Sequence, residues 1–204
     1  MEIRRVKKHD VDMTSGSVFR HLLNFAVPLL MGNIFQQLYN TVDTWVVGNY
    51  VSNEAFSAVG TVAPIINTLI GAFSGLASGA GVVISQYYGA GKYDRVKDAV
   101  HTAVMMTLVL SVAFTAIGIA MMPNMLLLMK TPAEVFPESR AYLNIYFSGM
   151  AGLMLYNMGA GILRAVGDSK RPFYYLVCAA VINTVLDLVF VIAFGMGVEG
   201  VAYA

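Results

Sequence analysis

Charged side chains gather into short clusters, and the stretches between them are too long and too apolar for a water-soluble fold. Residues 21–53, 55–91, 99–129, 141–163 and 172–198 contain two acidic side chains between them and no lysine or arginine. About 20 apolar residues suffice for a helix to cross the hydrocarbon core of a bilayer. A backbone in lipid must satisfy its own N–H and C=O groups, so each run is expected to be a helical span. Five complete spans are expected at about 21–51, 57–86, 99–124, 141–163 and 172–196, with a sixth starting at about 200. The expected fold class is an all-α integral membrane protein. The chain stops within the sixth apolar segment, which reads as a fragment of something longer.

Composition narrows the possible functions. Of 204 residues 57% are hydrophobic and 12% charged, with mean hydropathy +0.66, whereas soluble domains carry about 25% charged residues. Net charge is +1 and no basic block follows the first eight residues, so no nucleic-acid partner is expected. Cys178 is the only cysteine, which excludes an internal disulfide and a thiolate cluster. His9, His21 and His101 fall in the tail or near span ends without ligand spacing, so no metal site is expected beyond one for Na⁺. The first apolar run exceeds 30 residues, far beyond a signal-peptide core of about 7–15 residues, and reads as a retained span.

The loops supply an orientation. Arg4, Arg5, Lys7, Lys8 and Arg20 precede the first span; Lys92, Arg95 and Lys97 join the second to the third; Arg164, Lys170 and Arg171 join the fourth to the fifth. These are eleven of the thirteen basic residues, and the alternate loops hold only Lys130 and Arg140. The positive-inside bias therefore predicts a cytoplasmic tail over residues 1–20 and a multi-pass protein of the cell (inner or plasma) membrane.

Two carboxylates break the pattern. Of twelve acidic residues, only Asp43 and Asp187 lie within spans. Asn33, Gln36, Asn40 and Asp43 recur at steps of three and four and share one helix face; Asn183 lies one turn before Asp187. At about 1.5 Å per residue, Asp43 is about 10 Å below the outer end of its span at Tyr50. By the same rise, Asp187 is about 12 Å below Gly195. Both spans run outward from the cytoplasm, so the two acids are expected at nearly one depth. Ionisable groups in a span are costly and by default mark an ion, proton or substrate path. Two acids without a basic partner cannot both stay charged cheaply, so a proton or a hard cation held by oxygen ligands is expected between them. A hydrogen-bonded acid pair that merely fixes helix packing is the plainer alternative.

Other features read as structure. Pro28, inside the first span, should kink it or free a carbonyl. Gly71, Gly75 and Gly79 repeat at i+4 and suggest a close-packing face. Met105, Met106, Met121, Met122, Met125 and Met129, in and after the third span, read as lipid- or core-facing filler. Tyr142, Tyr146, Gly149, Leu153 and Asn157 form a helical stripe that could border a cavity, Tyr142 reading more readily as part of an interfacial aromatic belt. Gly89-Ala90-Gly91-Lys92 lacks the phosphate-loop spacing. Ala165-Val166-Gly167-Asp168 falls one glycine short of an intramembrane aspartyl-protease motif, and nucleophile and zinc motifs are absent. No enzyme is expected.

Several motifs in order resemble one family. Met31-Gly32-Asn33 through Gln36-Gln37-Leu38-Tyr39-Asn40-Thr41-Val42-Asp43 and Val47-Gly48 is similar to the first span of the multidrug and toxic compound extrusion (MATE) family. Ser85-Gln86-Tyr87-Tyr88-Gly89-Ala90-Gly91, Leu163-Arg164-Ala165-Val166-Gly167-Asp168-Ser169-Lys170-Arg171-Pro172 and Gly195-Met196-Gly197-Val198-Glu199-Gly200-Val201-Ala202 resemble its later motifs. The resemblance implies a twelve-span transporter of two six-helix lobes that exports small cationic drugs or metabolites against Na⁺ or H⁺. Residues 21–204 would form the amino-terminal lobe, with the carboxy-terminal lobe absent and needed for full transport. It implies a cation or proton site at Asp43, Asn183 and Asp187 and a substrate cleft lined by Gln36 and Asn40, to which the helical stripe of the fourth span adds Tyr146 and Asn157, with Pro28 the expected bend. Na⁺ or H⁺ as coupling ion takes the place of a cofactor. Alternatives are a lipid-linked precursor flippase, for which basic residues would be expected in a central cavity where these spans have none, and a non-transporting membrane scaffold.

Overall fold

Helix is the only regular structure among the described residues, 17–204, of the computed structural model. The basic tail residues Arg4, Arg5, Lys7 and Lys8 lie outside the described residues. Helix α1 spans Val18–Tyr50, α2 Asn53–Gly89, α3 Tyr93–Leu128, α4 Phe136–Ser148, α5 Met150–Ala165, α6 Lys170–Leu188 and α7 Gly197–Tyr203, with a π-helical turn over Val189–Ala193 between the last two. The all-α lobe pairs α1 with α6 and α2 with α5, while α3 and α4 pack against the α2–α5 pair.

Local chemistry sets the boundaries. Ser52 Oγ accepts the Ala55 N–H at 3.1 Å and caps α2. Asp168 Oδ1 accepts the N–H groups of Lys170 and Arg171, each at 3.1 Å, and holds the first turn of α6; unpaired N–H groups at a helix start make this the favoured place for a carboxylate. The glycines of the two motif loops end helices. Gly91 has φ +67° and Lys92 N–H reaches back to the Tyr87 carbonyl, while Gly167 has φ +89° and Asp168 N–H reaches the Leu163 carbonyl. A left-handed residue just past the helix is where glycine carries no Cβ penalty, so Gly91 is a helix stop and not part of a phosphate cradle.

Three stretches, Asn53–Gly89, Tyr93–Leu128 and Lys170–Ala193, are long and apolar enough to cross a membrane by length and composition. Although α1 matches them in length, its polar stripe dilutes its apolar character. It runs unbroken through Pro28, where the missing N–H leaves the Asn24 carbonyl without its usual donor. The segment expected as one fourth span is two helices. It starts at Phe136, five residues before the expected boundary, because Pro137 sits at the first helical positions. It is interrupted at Gly149, the single residue between the end of α4 at Ser148 and the start of α5 at Met150.

The main core joins Val62 and Phe73 of α2, Met122 and Leu126 of α3, Leu143 and Phe147 of α4, and Met150 and Met154 of α5. A second cluster joins Val46 and Val47 at the end of α1 to Ala55, Val191, Val198 and Val201. This second cluster clamps the carboxy-terminal end of α1 to the π turn and α7.

The expected glycine packing face is not one within this lobe. A Cβ added at Gly71, Gly75 or Gly79 meets nothing within 4 Å, whereas at Gly161 it would lie 3.0 Å from the Ala77 carbonyl oxygen. Spacing cannot tell which side of α2 meets α5, and the contact falls on Ala77 and Gly81, which face Gly161 and Ala165. Gly161→Ala is expected to lower the thermal unfolding midpoint of the purified protein, because the obstructing atom is backbone. Gly75→Ala should not lower it, since glycine in a helix costs about 0.5–1 kcal/mol relative to alanine. Equal midpoints for the two variants would refute this assignment.

Candidate functional site

The polar stripe of α1 divides between two environments. Gln36 and Asn40, with Asn33 and Gln37, face an open cleft of about 970 Å³ whose other walls come from α2, α5 and α6. Asp43, one turn further, points instead into the interior. Asp187 is fully buried on α6, and the Asp43 and Asp187 carboxyl groups stand near enough to interact directly. Their approach follows from the α1–α6 pairing, which the second apolar cluster locks immediately beyond Asp43.

Four oxygens define the site. Asp43 Oδ1, both carboxyl oxygens of Asp187 and Asn183 Oδ1 are buried with no donor group facing them, and only a proton on one acid would let the Asp43 and Asp187 carboxyl groups hydrogen-bond to each other. All are acceptors, since an ionised carboxylate and an amide oxygen have nothing to donate. Buried polar atoms are nearly always satisfied, so each exception calls for an explanation. An acceptor cluster of this kind is completed by what brings positive charge: a proton or a hard cation. Among the described residues no group of three or more His, Cys, Asp or Glu side chains assembles, so a held ion would rely on two carboxylates and an amide.

Tyrosines wall the acids. Tyr142 is partly buried, packs against both apolar clusters and lies close enough to Asp43 and Asp187 to feel their charge, with Tyr39 and Tyr146 beside it. The expectation that Tyr142 belongs to an interfacial belt is corrected: α4 starts at Phe136, so Tyr142 sits about 9 Å along the helix and faces inward. Tyr39 lies near Asp43 and its hydroxyl accepts a 2.8 Å hydrogen bond from Gln36 Nε2. Sequence reasoning passed over Tyr39, although it is one turn before Asp43 on the same face. The π turn right after Asp187, closed by Phe194 N–H to the Val189 carbonyl at 3.1 Å, was also unforeseen. Such turns often lie at functional sites.

The cleft corrects two further expectations. Asn157 lines it and donates Nδ2 to the Leu153 carbonyl at 2.9 Å, but Tyr146 does not; it packs against the main core near Tyr39. The cleft is also not without a basic residue, because Arg164, assigned to a loop by its charge, ends α5 and is the one charged side chain in the wall. Its other polar groups are amides and hydroxyls, with Asn67, Ser74, Ser78 and Ser85 on α2, set among apolar side chains such as Leu29, Ile70 and Leu176 and facing the rings of Tyr156 and Phe173. The wall holds no carboxylate.

The sequence itself matches the MatE family model over residues 28–189, a range that holds both Asp43 and Asp187. The chain belongs to the MatE family. It is 37% identical over 192 residues to the probable multidrug resistance protein YoeA of Bacillus subtilis (strain 168), covering 92% of this chain and 42% of that one. It is 33% identical over 193 residues to the probable multidrug resistance protein YpnP of the same organism, covering 95% and 43%. The fold is similar to the outward-facing conformation of a multidrug resistance MATE family transporter of the MOP superfamily, with TM-score 0.86 and 26% identity over 92% of this chain and 42% of that chain. This MatE chain thus spans about 42% of the length of the relatives it matches, and its fold is that of one transmembrane lobe of such transporters.

Proposed function

We propose that this MatE lobe is the cation-coupling half of a secondary active antiporter that exports organic cations in exchange for Na⁺ or H⁺. The observation that carries the reading is the cluster of four buried, unpartnered acceptor oxygens on Asp43, Asn183 and Asp187. Coupling is competition: the inward-moving ion neutralises the acid pair, and its departure restores the charge that draws the next organic cation toward Gln36, Asn40 and Asn157. Positive charge so close to Asp43 changes what the α1–α6 contact can tolerate, and Pro28 is where α1 can bend in response. The amino terminus and the α2–α3 and α5–α6 connections face the cytoplasm.

Arg164 favours a second reading for the cleft alone, in which substrates also carry an acidic group that the guanidinium receives. One experiment addresses both. Everted vesicles carrying the protein expressed from its full reading frame should accumulate a cationic dye when an inverted Na⁺ or pH gradient is imposed. Adding an ionophore for the coupling ion should collapse the uptake. Accumulation indifferent to both gradients would refute the antiport reading, and faster accumulation of a zwitterionic analogue than of the plain cation would establish the second reading of the cleft.

A further inference from the structure

On the flank of α2 turned away from the cleft, α2 and α3 enclose a second cavity of about 330 Å³ lined by Ala80, Val83, Tyr87, Arg95, Asp98, Ala99, Thr102, Ala103 and Met106. Its two ends differ chemically. Arg95, Asp98 and Thr102 follow one another at steps of three and four on α3 and share a face with Met106; with Tyr87 they form a polar mouth. Ala80, Val83, Ala103 and Met106 form an apolar floor. The charge-free run of α3 begins at residue 99, so the polar end stands at the level where hydrocarbon gives way to water. Val83 and Met106 are 46% and 40% exposed, and the cavity opens sideways.

The two charges at the mouth are not spent on each other. Lys97 pairs with Asp94 at 3.5 Å, but neither Arg95 nor Asp98 has an ion-pair partner among the described residues. A guanidinium fits a phosphate, which it can meet with two parallel N–H donors. A carboxylate beside it fits a group that is positive and carries N–H. The ligand complementary to this mouth therefore carries a phosphate and a primary ammonium next to each other, above an apolar tail. A purely anionic headgroup would meet Asp98 as like charge, and membrane sites for such lipids are built from clusters of basic residues, not from one arginine beside one aspartate. A quaternary ammonium has no N–H to offer Asp98 and is held by aromatic cages, whereas Tyr87 is a single ring.

We infer that the α2–α3 cavity is a binding site for an amine-bearing phospholipid of the phosphatidylethanolamine class, Arg95 receiving the phosphate, Asp98 the ammonium, and Val83, Ala103 and Met106 the start of an acyl chain. The site is independent of the acid pair and of the cleft. It sits beside the Gly91 helix stop, where bound lipid would brace the α2–α3 turn.

The test uses the protein expressed from its full reading frame, purified in detergent and equilibrated with equimolar phosphatidylethanolamine, phosphatidylcholine and phosphatidylglycerol, with the retained lipid counted by mass spectrometry. Phosphatidylethanolamine should be enriched about tenfold over phosphatidylcholine, the difference expected from one charge-assisted hydrogen bond. Arg95→Gln should lower the retention of all three lipids together, because each carries the phosphate that the guanidinium receives. Asp98→Asn should turn the preference toward phosphatidylglycerol, because removing the carboxylate leaves an unopposed cation. Both side chains are exposed, so neither variant threatens folding, and the ranking of lipids by the unaltered protein is itself a test. Retention in the ratio supplied, a preference for phosphatidylglycerol by the unaltered protein, or retention and enrichment unchanged in both variants would overturn the assignment.

Discussion

Asp187→Asn is expected to reduce gradient-driven dye efflux at least about tenfold, because a charge-assisted contact to the coupling ion is worth about 1.5–3 kcal/mol and the neutral amide cannot supply it. The same substitution should leave expression intact and hold or raise the thermal unfolding midpoint. Asparagine has nearly the shape of aspartate, and its NH₂ group brings donors into a pocket where Asp43 Oδ1, Asn183 Oδ1 and the Asp187 oxygens find none. This pairing of gained stability with lost transport is the signature of a strained functional site. An acid pair that existed to fix helix packing would behave in the opposite way, losing stability with little effect on efflux. Measuring efflux in vesicles alongside unfolding of the purified variant separates the two, and undiminished efflux by Asp187→Asn would remove this residue from the coupling mechanism.

The largest structural effect is expected at Gly118. A Cβ added there would overlap the ring of Phe147, which is 1% exposed in the middle of the main core. The ring shares the buried core with Leu143, Met150 and Met154, and its backbone is tied to α3 by Thr115 Oγ1, which donates to the Phe147 carbonyl at 3.0 Å. Gly118→Ala should therefore destabilise the protein by about 1–3 kcal/mol, the usual cost of overpacking. Adding Phe147→Leu should recover part of the loss although Phe147→Leu alone is destabilising, because contacting sites are not additive. Unfolding midpoints of the two single variants and the double variant measure the coupling, and strictly additive midpoints would mean that α3 and α4 do not meet there.

The acid pair shows how far a linear reading reaches. Charge spacing identified Asp43 and Asp187 as misplaced in apolar spans, and a count of residues from the span ends set them at one depth. That arithmetic works because helix rise is constant and lipid fixes where a span must end. It failed at Tyr142 for the same reason in reverse. Charges stop at Ala141, which puts Tyr142 at a span end, while the helix starts at Phe136 and carries Tyr142 inward beside the acids. Arg164 shows a second limit, since charge marks a residue as belonging to a loop without saying which way a helix end turns it. Gly71, Gly75 and Gly79 show a third, because a small-residue repeat gives a smooth face and not the neighbour that uses it.

What the chain determined by itself is what depends on composition along one dimension: helices, their punctuation by Asp168, Gly91 and Gly167, and the two acids that lipid cannot leave alone. What only the tertiary structure decided is which faces meet. The pairing of α1 with α6 makes Asp43 and Asp187 one site, and the pairing of α2 with α5 turns Asn67, Ser74 and Ser78 toward a cleft ending at Arg164. Faces are chosen by side-chain complementarity between segments more than a hundred residues apart, as at Val46, Val47, Val191 and Val198, and periodicity within one helix carries no information about its partner.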